Sequence, residues 1–286
     1  MGVLKMRKPS ITQEIYLELQ NQCCFGRSKH DDKVNGVDMS DKIYSFGSYK
    51  THKQNAQRFA KWAKNEMGAK DLKDAQKYTA DFLELKKSEG CSVATLKTYA
   101  SSIAKVYHTN INSLGVNFDA RRREDITRSR IPVKEDSLRK GCERLQTVAK
   151  NTGLRRSELR TLEGKDLHQK NGKFYIEVKG KGGKTREVPI LKNDRQTIAI
   201  IKKSGNEKVF SKNELKSEND IHAYRREYAQ KLYFELERPL ESLRHDEIYF
   251  CRNDAKGMAF DRQAMREVSN ALGHNRVGII AINYLV

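Results

Sequence analysis

The chain has 286 residues, of which 56 are Lys or Arg and 37 are Asp or Glu, a formal net charge of +19. No run of about 18 apolar residues occurs, which excludes a membrane-spanning helix, and the opening MGVLKMRKPSITQEI lacks an apolar signal core, so a cytoplasmic location is expected. Five Cys, none in Cys-x-x-Cys spacing, argue against a disulfide framework or a structural zinc site, while the charge calls for a polyanionic partner, of which nucleic acid is the commonest. The excess is spread along the chain: residues 1–120 carry a net +6 and residues 121–286 a net +13.

The segment before residue 45, with Gly26, Gly36 and scattered charge, reads as a partly ordered extension. Three amphipathic helices are predicted after it. Ala56, Phe59, Ala60, Ala63 and Met67 recur at helical spacing, as do Ala75, Tyr78, Phe82 and Leu85. Ser92 caps the third helix, whose stripe is Val93, Leu96, Ala100, Ile103 and Tyr107. These stripes are most simply a small helical core. Lys97 and Lys105 lie off the third stripe and are candidates for phosphate contact, or else a solvated face. Residues 108–135 lose the periodicity, and Arg121, Arg122 and Arg123 open a run of five Arg between 121 and 130. Such a run is usually a solvated linker; between two basic halves it also suits a backbone-crossing linker.

The second half begins with a helix over EDSLRKGCERLQTVAKN, ending before Gly153, and another carrying RRSELRTL. The period then changes to two. Phe174, Ile176 and Val178 alternate on one strand and Val188 and Ile190 on the next, with GKGGK as the turn of a hairpin. Helical patterns follow to the end. Tyr224 and Tyr228 read as core, and the Cys at 23, 24, 91, 142 and 251 as structural.

Four segments carry chemistry: TGLRRSEL (152–159), VKGKGGK (178–184), HAYRREYA (222–229) and ALGHNRVGIIAINYL (271–285). Singly they are weak signals. In this order and spacing they resemble the tyrosine recombinase, or phage integrase, family over residues 136–286, and the helical first half is similar to that family's core-binding domain. The resemblance implies a mainly α fold with a small β-hairpin or sheet. It implies a two-domain DNA clamp: a helical domain over 1–120, a basic linker over 121–135 and a catalytic domain over 136–286. Carried over residue by residue, it makes Arg155 and Arg225 the guanidiniums that hold the phosphate. Lys181 at the hairpin tip becomes the proton donor to the leaving 5′-oxygen. His222 and His274 become hydrogen-bond partners of the phosphate, with His222 also placed to take the phenol proton, and Tyr284 becomes the nucleophile. Arg156 and Lys184, beside these residues, join the candidate DNA contacts.

The implied reaction forms a 3′-phosphotyrosyl link that conserves the phosphodiester bond energy, so no cofactor, metal or ATP is expected. The implied partners are double-stranded DNA attachment sites, three further copies of the chain in a tetrameric synapse, and accessory directionality and bending proteins, in a nucleoid-associated bacterial enzyme of a prophage or other mobile element. Type IB topoisomerase-like relaxation and non-catalytic DNA binding are the rival readings.

Two departures stand out. Leu-Arg-His at 243–245 offers Arg244 as a second candidate for the second Arg, but Glu241 stands where the His belongs, and Asp246 and Glu247 would repel a phosphate. Choosing Arg225 implies an insertion around 237–260 and places Arg226 where the family often has a second His. The family commonly continues past its Tyr with a tail that docks on a neighbour. Here Leu285 and Val286 follow, so either the chain is truncated or assembly uses another contact.

Overall fold

A computed structural model of the chain describes residues 8–120, 143–180, 183–216, 219–252, 255–274 and 276–285, which fall into two compact units, Met1–Asp125 and Ile126–Val286. The basic linker expected at 121–135, with Arg121, Arg122 and Arg123, lies outside the described residues. So does Lys181.

Serine caps open the first three described helices of the first unit. Ser10 accepts from the Gln13 N–H and opens α1 (Ile11–Asn21); Ser28 opens α2 (Lys29–Val34); Ser45 opens α3 (Phe46–Asn65). Residues 8–44, within the segment expected as a partly ordered extension, thus include two capped helices. Ile11, Ile15 and Leu19 form one buried face of α1, which packs on α3 and on α6 (Val93–Val106). The second expected helix is two, α4 (Leu72–Ala75) and α5 (Thr79–Ser88), separated by a 3₁₀ turn at Gln76–Tyr78. That break buries Leu83 beside Phe82 and leaves Leu85 half-buried. Phe82 is the hub of the core, edge-on to Phe59 at 5.4 Å and to Tyr99 at 5.7 Å between ring centroids. Full burial of side chains of this size contributes about 1.5–3 kcal/mol each. Met67, expected on the α3 stripe, falls beyond the helix end and is exposed.

In the second unit α7 (Glu143–Thr152) runs into Gly153, and a single turn, α8 (Arg156–Leu159), follows. Three antiparallel strands come next: β1 (Leu167–Lys170), β2 (Lys173–Lys179) and β3 (Thr185–Pro189). Asn171 and Gly172, both at positive φ, close the tight β1–β2 turn. The β2–β3 register sets Ile176 opposite Val188, both buried. Helix α9 (Arg195–Lys202) packs on α7 and β1. Helix α10 (Ile221–Leu236) packs between α7 and α11 (Arg262–Leu272), and α11 also lies on β3. The stretch expected as an insertion forms a two-stranded ribbon, β4 (Ile248–Phe250) and β5 (Ala259–Asp261), pinned by Arg238 donating to Asp261 and Glu247 at 2.8 Å each. After α11 come α12 (Val277–Ile280) and a π-helical turn, Ala281–Leu285. The unit is mainly helical with small sheets. No described helix is long and apolar enough to cross a membrane.

Gly153 is a tight point of this packing. Its φ is +58°, and a Cβ there would lie 2.4 Å from the Tyr228 ring, which is fully buried and anchored by its hydroxyl donating to the Pro189 carbonyl at 2.8 Å. Gly172 also has positive φ (+75°), but a Cβ there meets nothing within 4 Å. Urea unfolding should therefore separate the two glycines. Gly172→Ala should cost about 1–2 kcal/mol, the backbone penalty alone. Gly153→Ala should cost about 2–5 kcal/mol, because overpacking adds to it. Equal losses would mean that the Tyr228 contact is unimportant.

Candidate active site

Helix α11 ends at Gly273, whose left-handed conformation lets the Gly273 and His274 N–H groups donate to the carbonyls of Asn270 and Ser269. The carbonyls of Ala271 and Leu272 are left for other donors, and three arginines supply them. Arg186, on β3, donates from Nε to Ala271 at 2.8 Å. Arg155, the residue capping α8, donates to Leu272 at 3.0 Å, and Arg225, on the second turn of α10, donates to the same oxygen. A helix C-terminus carries partial negative charge, so cations suit it.

One carboxylate serves this group. Glu158, nearly fully buried on α8, accepts from Arg155 at 2.8 Å and from both terminal nitrogens of Arg186 at 3.0 Å. Its second oxygen also accepts the Arg155 backbone N–H at 2.8 Å. Burial by itself raises its pKa, but the Arg186 and Arg155 contacts outweigh that and hold it at about 2.

Arg225 is 1% exposed. Its guanidinium also donates to the Gly153 carbonyl, and its Nε lies 3.3 Å from the Tyr284 hydroxyl. Among the described residues no carboxylate pairs with it. Burial lowers its pKa, opposed chiefly by Tyr284, yet a guanidinium starts so high that it stays charged. His274 completes the group, its Nε2 2.8 Å from the Tyr284 hydroxyl and 3.4 Å from Arg225. With Arg225 donating to the phenol oxygen, the phenol O–H is left to donate to Nε2. Burial first, then the charges of Arg225, Arg155 and Arg186, push the His274 pKa down to about 4, so the ring is neutral at pH 7 and Nε2 can accept. The π-helical turn presents Tyr284 to this group. Its backbone carbonyl accepts from Gln230 at 3.0 Å and Arg226 at 3.4 Å, both on α10.

The structure thus brings together four residues named from sequence: Arg155, Arg225, His274 and Tyr284. His222 is exposed on the first turn of α10, and the hydrogen bond to the phenol, expected of His222, is made by His274. Arg244 is elsewhere, 76% exposed and paired with Asp246 at 3.3 Å and Glu247 at 3.4 Å. Among the candidate DNA contacts, Lys97 and Lys184 are exposed. Two others are turned inward. The Lys105 ammonium donates to the Ser40 carbonyl, and burial lowers its pKa. Arg156 ties down the carbonyls of Leu215, Lys216 and Asn219, the segment leading into α10. Short helices and loops leave such carbonyls without backbone donors, and long cationic side chains fill the gap.

Glu158, Arg186 and Gln230 were missed by sequence reasoning, while Arg226 was noted as standing where the family often has a second His. Strand alternation is the signal for Arg186: it shares a face with Val188, so a charged residue stands at an inward position.

The phage integrase family model matches residues 133–285, more than half of the chain. No curated protein matches it by sequence. Among solved structures, the chain is similar to the XerH site-specific recombinase bound to palindromic difH substrate after cleavage. The identity is 16% and the TM-score 0.55, over 96% of this chain and 90% of that one. It is similar also to XerH bound to difH before cleavage, at 16% identity and TM-score 0.52, over 96% and 91%. The Tn1549 transposon integrase in complex with circular intermediate DNA has 13% identity and TM-score 0.47, over 97% and 95%. The fold is that of a tyrosine recombinase. The chain belongs to the phage integrase family, whose activity is cleavage and rejoining of DNA.

The two environments predict opposite histidine titrations in the DNA-free protein. His108 is raised above 6.5 by hydrogen bonds from its ring to Asp41 and Glu18, whereas His274 is depressed to about 4. By NMR, the His108 ring should titrate above pH 6.5 and the His274 ring should stay neutral down to about pH 5. Because the His274 pKa is depressed in the folded state, its share of stability is present above 6.5 and lost as pH falls from 6.5 through 4. A His274 ring that titrates near 6.5 would show that the cluster does not form in solution.

Proposed function

We propose that the chain is a site-specific DNA recombinase that cuts and rejoins duplex DNA through a 3′-phosphotyrosyl intermediate on Tyr284, integrating or excising a mobile element. The observation that carries this reading is the Tyr284 hydroxyl held between Arg225 Nε and His274 Nε2. A buried guanidinium bonded to neutral carbonyls and a phenol has its hydrogen bonds satisfied but, among the described residues, no directly paired anion. A scissile phosphate supplies the missing anion.

In this reading the phenol oxygen attacks phosphorus in line while its proton passes to neutral His274. Charge growing on the non-bridging oxygens meets Arg225 and Arg155, which approach from different elements and are always ionised. Lys181 protonates the departing 5′-oxygen, and His222 donates to the phosphate from the exposed side. Rejoining reverses these steps with the 5′-hydroxyl of a partner strand.

The helical unit Met1–Asp125 fits the role of a core-binding domain, with Lys97 a phosphate contact, and the two units would close on the duplex as a clamp. Arg121, Arg122 and Arg123 in the linker and Lys184 on the hairpin extend the basic surface. The XerH structures carry difH DNA, and the partner proposed for this chain is likewise a pair of duplex attachment sites, brought together by four copies of the chain with accessory directionality and bending proteins.

Three measurements test this. Tyr284→Phe should keep the fold and DNA binding and abolish the denaturant-resistant adduct with a nicked suicide substrate; an adduct with the Phe variant would falsify the assignment. Arg225→Ala should slow single-turnover cleavage roughly 10²–10³-fold with little loss of affinity, about 3–4 kcal/mol of barrier, while Arg244→Ala stays within about tenfold of the parent. The reverse ranking in folded variants would move the second Arg to 244. Finally, affinity should fall roughly 10³-fold or more between 50 and 200 mM salt, and a flat response would sink the clamp.

A further inference from the structure

We propose that Arg186 is a positioning residue: it locks Glu158, and through it Arg155, to the turn that carries His274, and ties both to the β2–β3 hairpin. This rests on the recombinase reading of the site.

Arg186 touches each of the segments involved. Both terminal nitrogens donate to Glu158 at 3.0 Å, and Glu158 orients Arg155 through a side-chain and a backbone hydrogen bond of 2.8 Å each. The Nε donates to Ala271 at 2.8 Å, one turn before His274. The side chain also runs beneath two glycines. A Cβ at Gly273, where φ is +66°, would sit 3.2 Å from Arg186 Cδ, and a Cβ at Gly180, in the hairpin loop, 2.9 Å from its NH1. Glycine at both places lets backbone close on the guanidinium from two sides. Arg186 is 11% exposed in its side chain, so the surface it offers to DNA is small, and each of its three nitrogens donates to Glu158 or Ala271.

A lysine has the charge without the fork. It can reach Glu158 or Ala271 but cannot hold two carboxylate oxygens and a carbonyl in one plane. The position therefore requires the shape of arginine as well as its charge. Loss of the fork frees Glu158 to swing, and Arg155 with it. A displacement of about 1 Å at a group that must meet the phosphate in the transition state is enough for a loss on the order of 10²-fold.

The test compares Arg186→Gln and Arg186→Lys with the parent in single-turnover cleavage of a suicide substrate at saturating DNA. Thermal unfolding, DNA affinity and the His274 NMR titration are followed alongside. The expected result for Gln is a cleavage rate lower by roughly 30–100-fold with affinity within about threefold, and for Lys a partial rescue. A folded Gln or Lys variant that cleaves at the parent rate overturns the proposal. So does a loss in which rate and affinity fall together, and so does a failure of both variants to fold, since Arg186 would then serve the fold alone.

The titration separates this proposal from the recombinase reading. His274 faces the positive charges of Arg225, Arg155 and Arg186 and the negative charge of Glu158, so removing the Arg186 charge should raise its pKa without any DNA present. If the parent forms no covalent adduct on any attachment-site DNA, the recombinase reading fails. A raised His274 pKa in Arg186→Gln would still support the linkage, and an unchanged one in the folded variant overturns it.

Discussion

The C-terminus of α11 is the anchor on which the site depends. An α-helix leaves its last carbonyls without internal donors, and here the left-handed Gly273 satisfies two of them while Ala271 and Leu272 point into the unit. Arg186, Arg155 and Arg225 arrive from β3, α8 and α10 and converge on those two oxygens. Carbonyl acceptors fix direction without cancelling charge. Glu158, the one carboxylate among them, is bound by two of the three. The third, Arg225, is the deepest and is the one in contact with the phenol.

That arrangement explains how a histidine and a tyrosine share a proton site at neutral pH. A histidine exposed to water would be partly protonated near its ordinary pKa and would then be a donor only. His274 sits under burial and three guanidiniums, so its neutral form is favoured and Nε2 keeps its lone pair. The same charges proposed to meet a phosphate thus keep His274 able to accept a proton. The π-helical turn at Ala281–Leu285 adds the last constraint: the Tyr284 carbonyl accepts from Gln230 and Arg226 on the same helix that carries Arg225. Tyr284 and Arg225 are thereby referenced to one helix, α10.

What the sequence reveals follows from how local each signal is. The α6 boundaries were legible because Ser92 caps a run with a clean apolar stripe, and Tyr228 because its helical spacing puts it in the core. Helix α1 carries an equally regular stripe, Ile11, Ile15 and Leu19 behind Ser10, but the charge and glycines that follow it obscured it. Strands β4 and β5, at three residues each, are too short for a period of two to register, and β1, at four residues, went unread from sequence. In the site, Arg155, Arg225, His274 and Tyr284 each sit in a recognisable short segment. Glu158 and Arg186 touch other side chains rather than a ligand, and their partnership spans 28 residues, so spacing along the chain says little about it. The hydrogen bonds of Lys105 and Arg156 were illegible for the same reason: the carbonyls that engage them are distant in sequence.

The inward turn of these cations does not weaken the electrostatic argument. Lys105, Arg156 and Arg225 donate to backbone carbonyls, which satisfy hydrogen bonds but leave a full positive charge on each side chain. A surface pair such as Arg244 with Asp246 and Glu247 cancels its own field and is screened by salt besides. A buried guanidinium paired with neutral oxygens does neither. Its field acts through protein of low polarisability on the half-buried Tyr284 hydroxyl beside it, and in the proposed reaction a phosphate would meet charge already fixed in place. Arg225 therefore holds a part of the total of +19 that no salt bridge among the described residues neutralises.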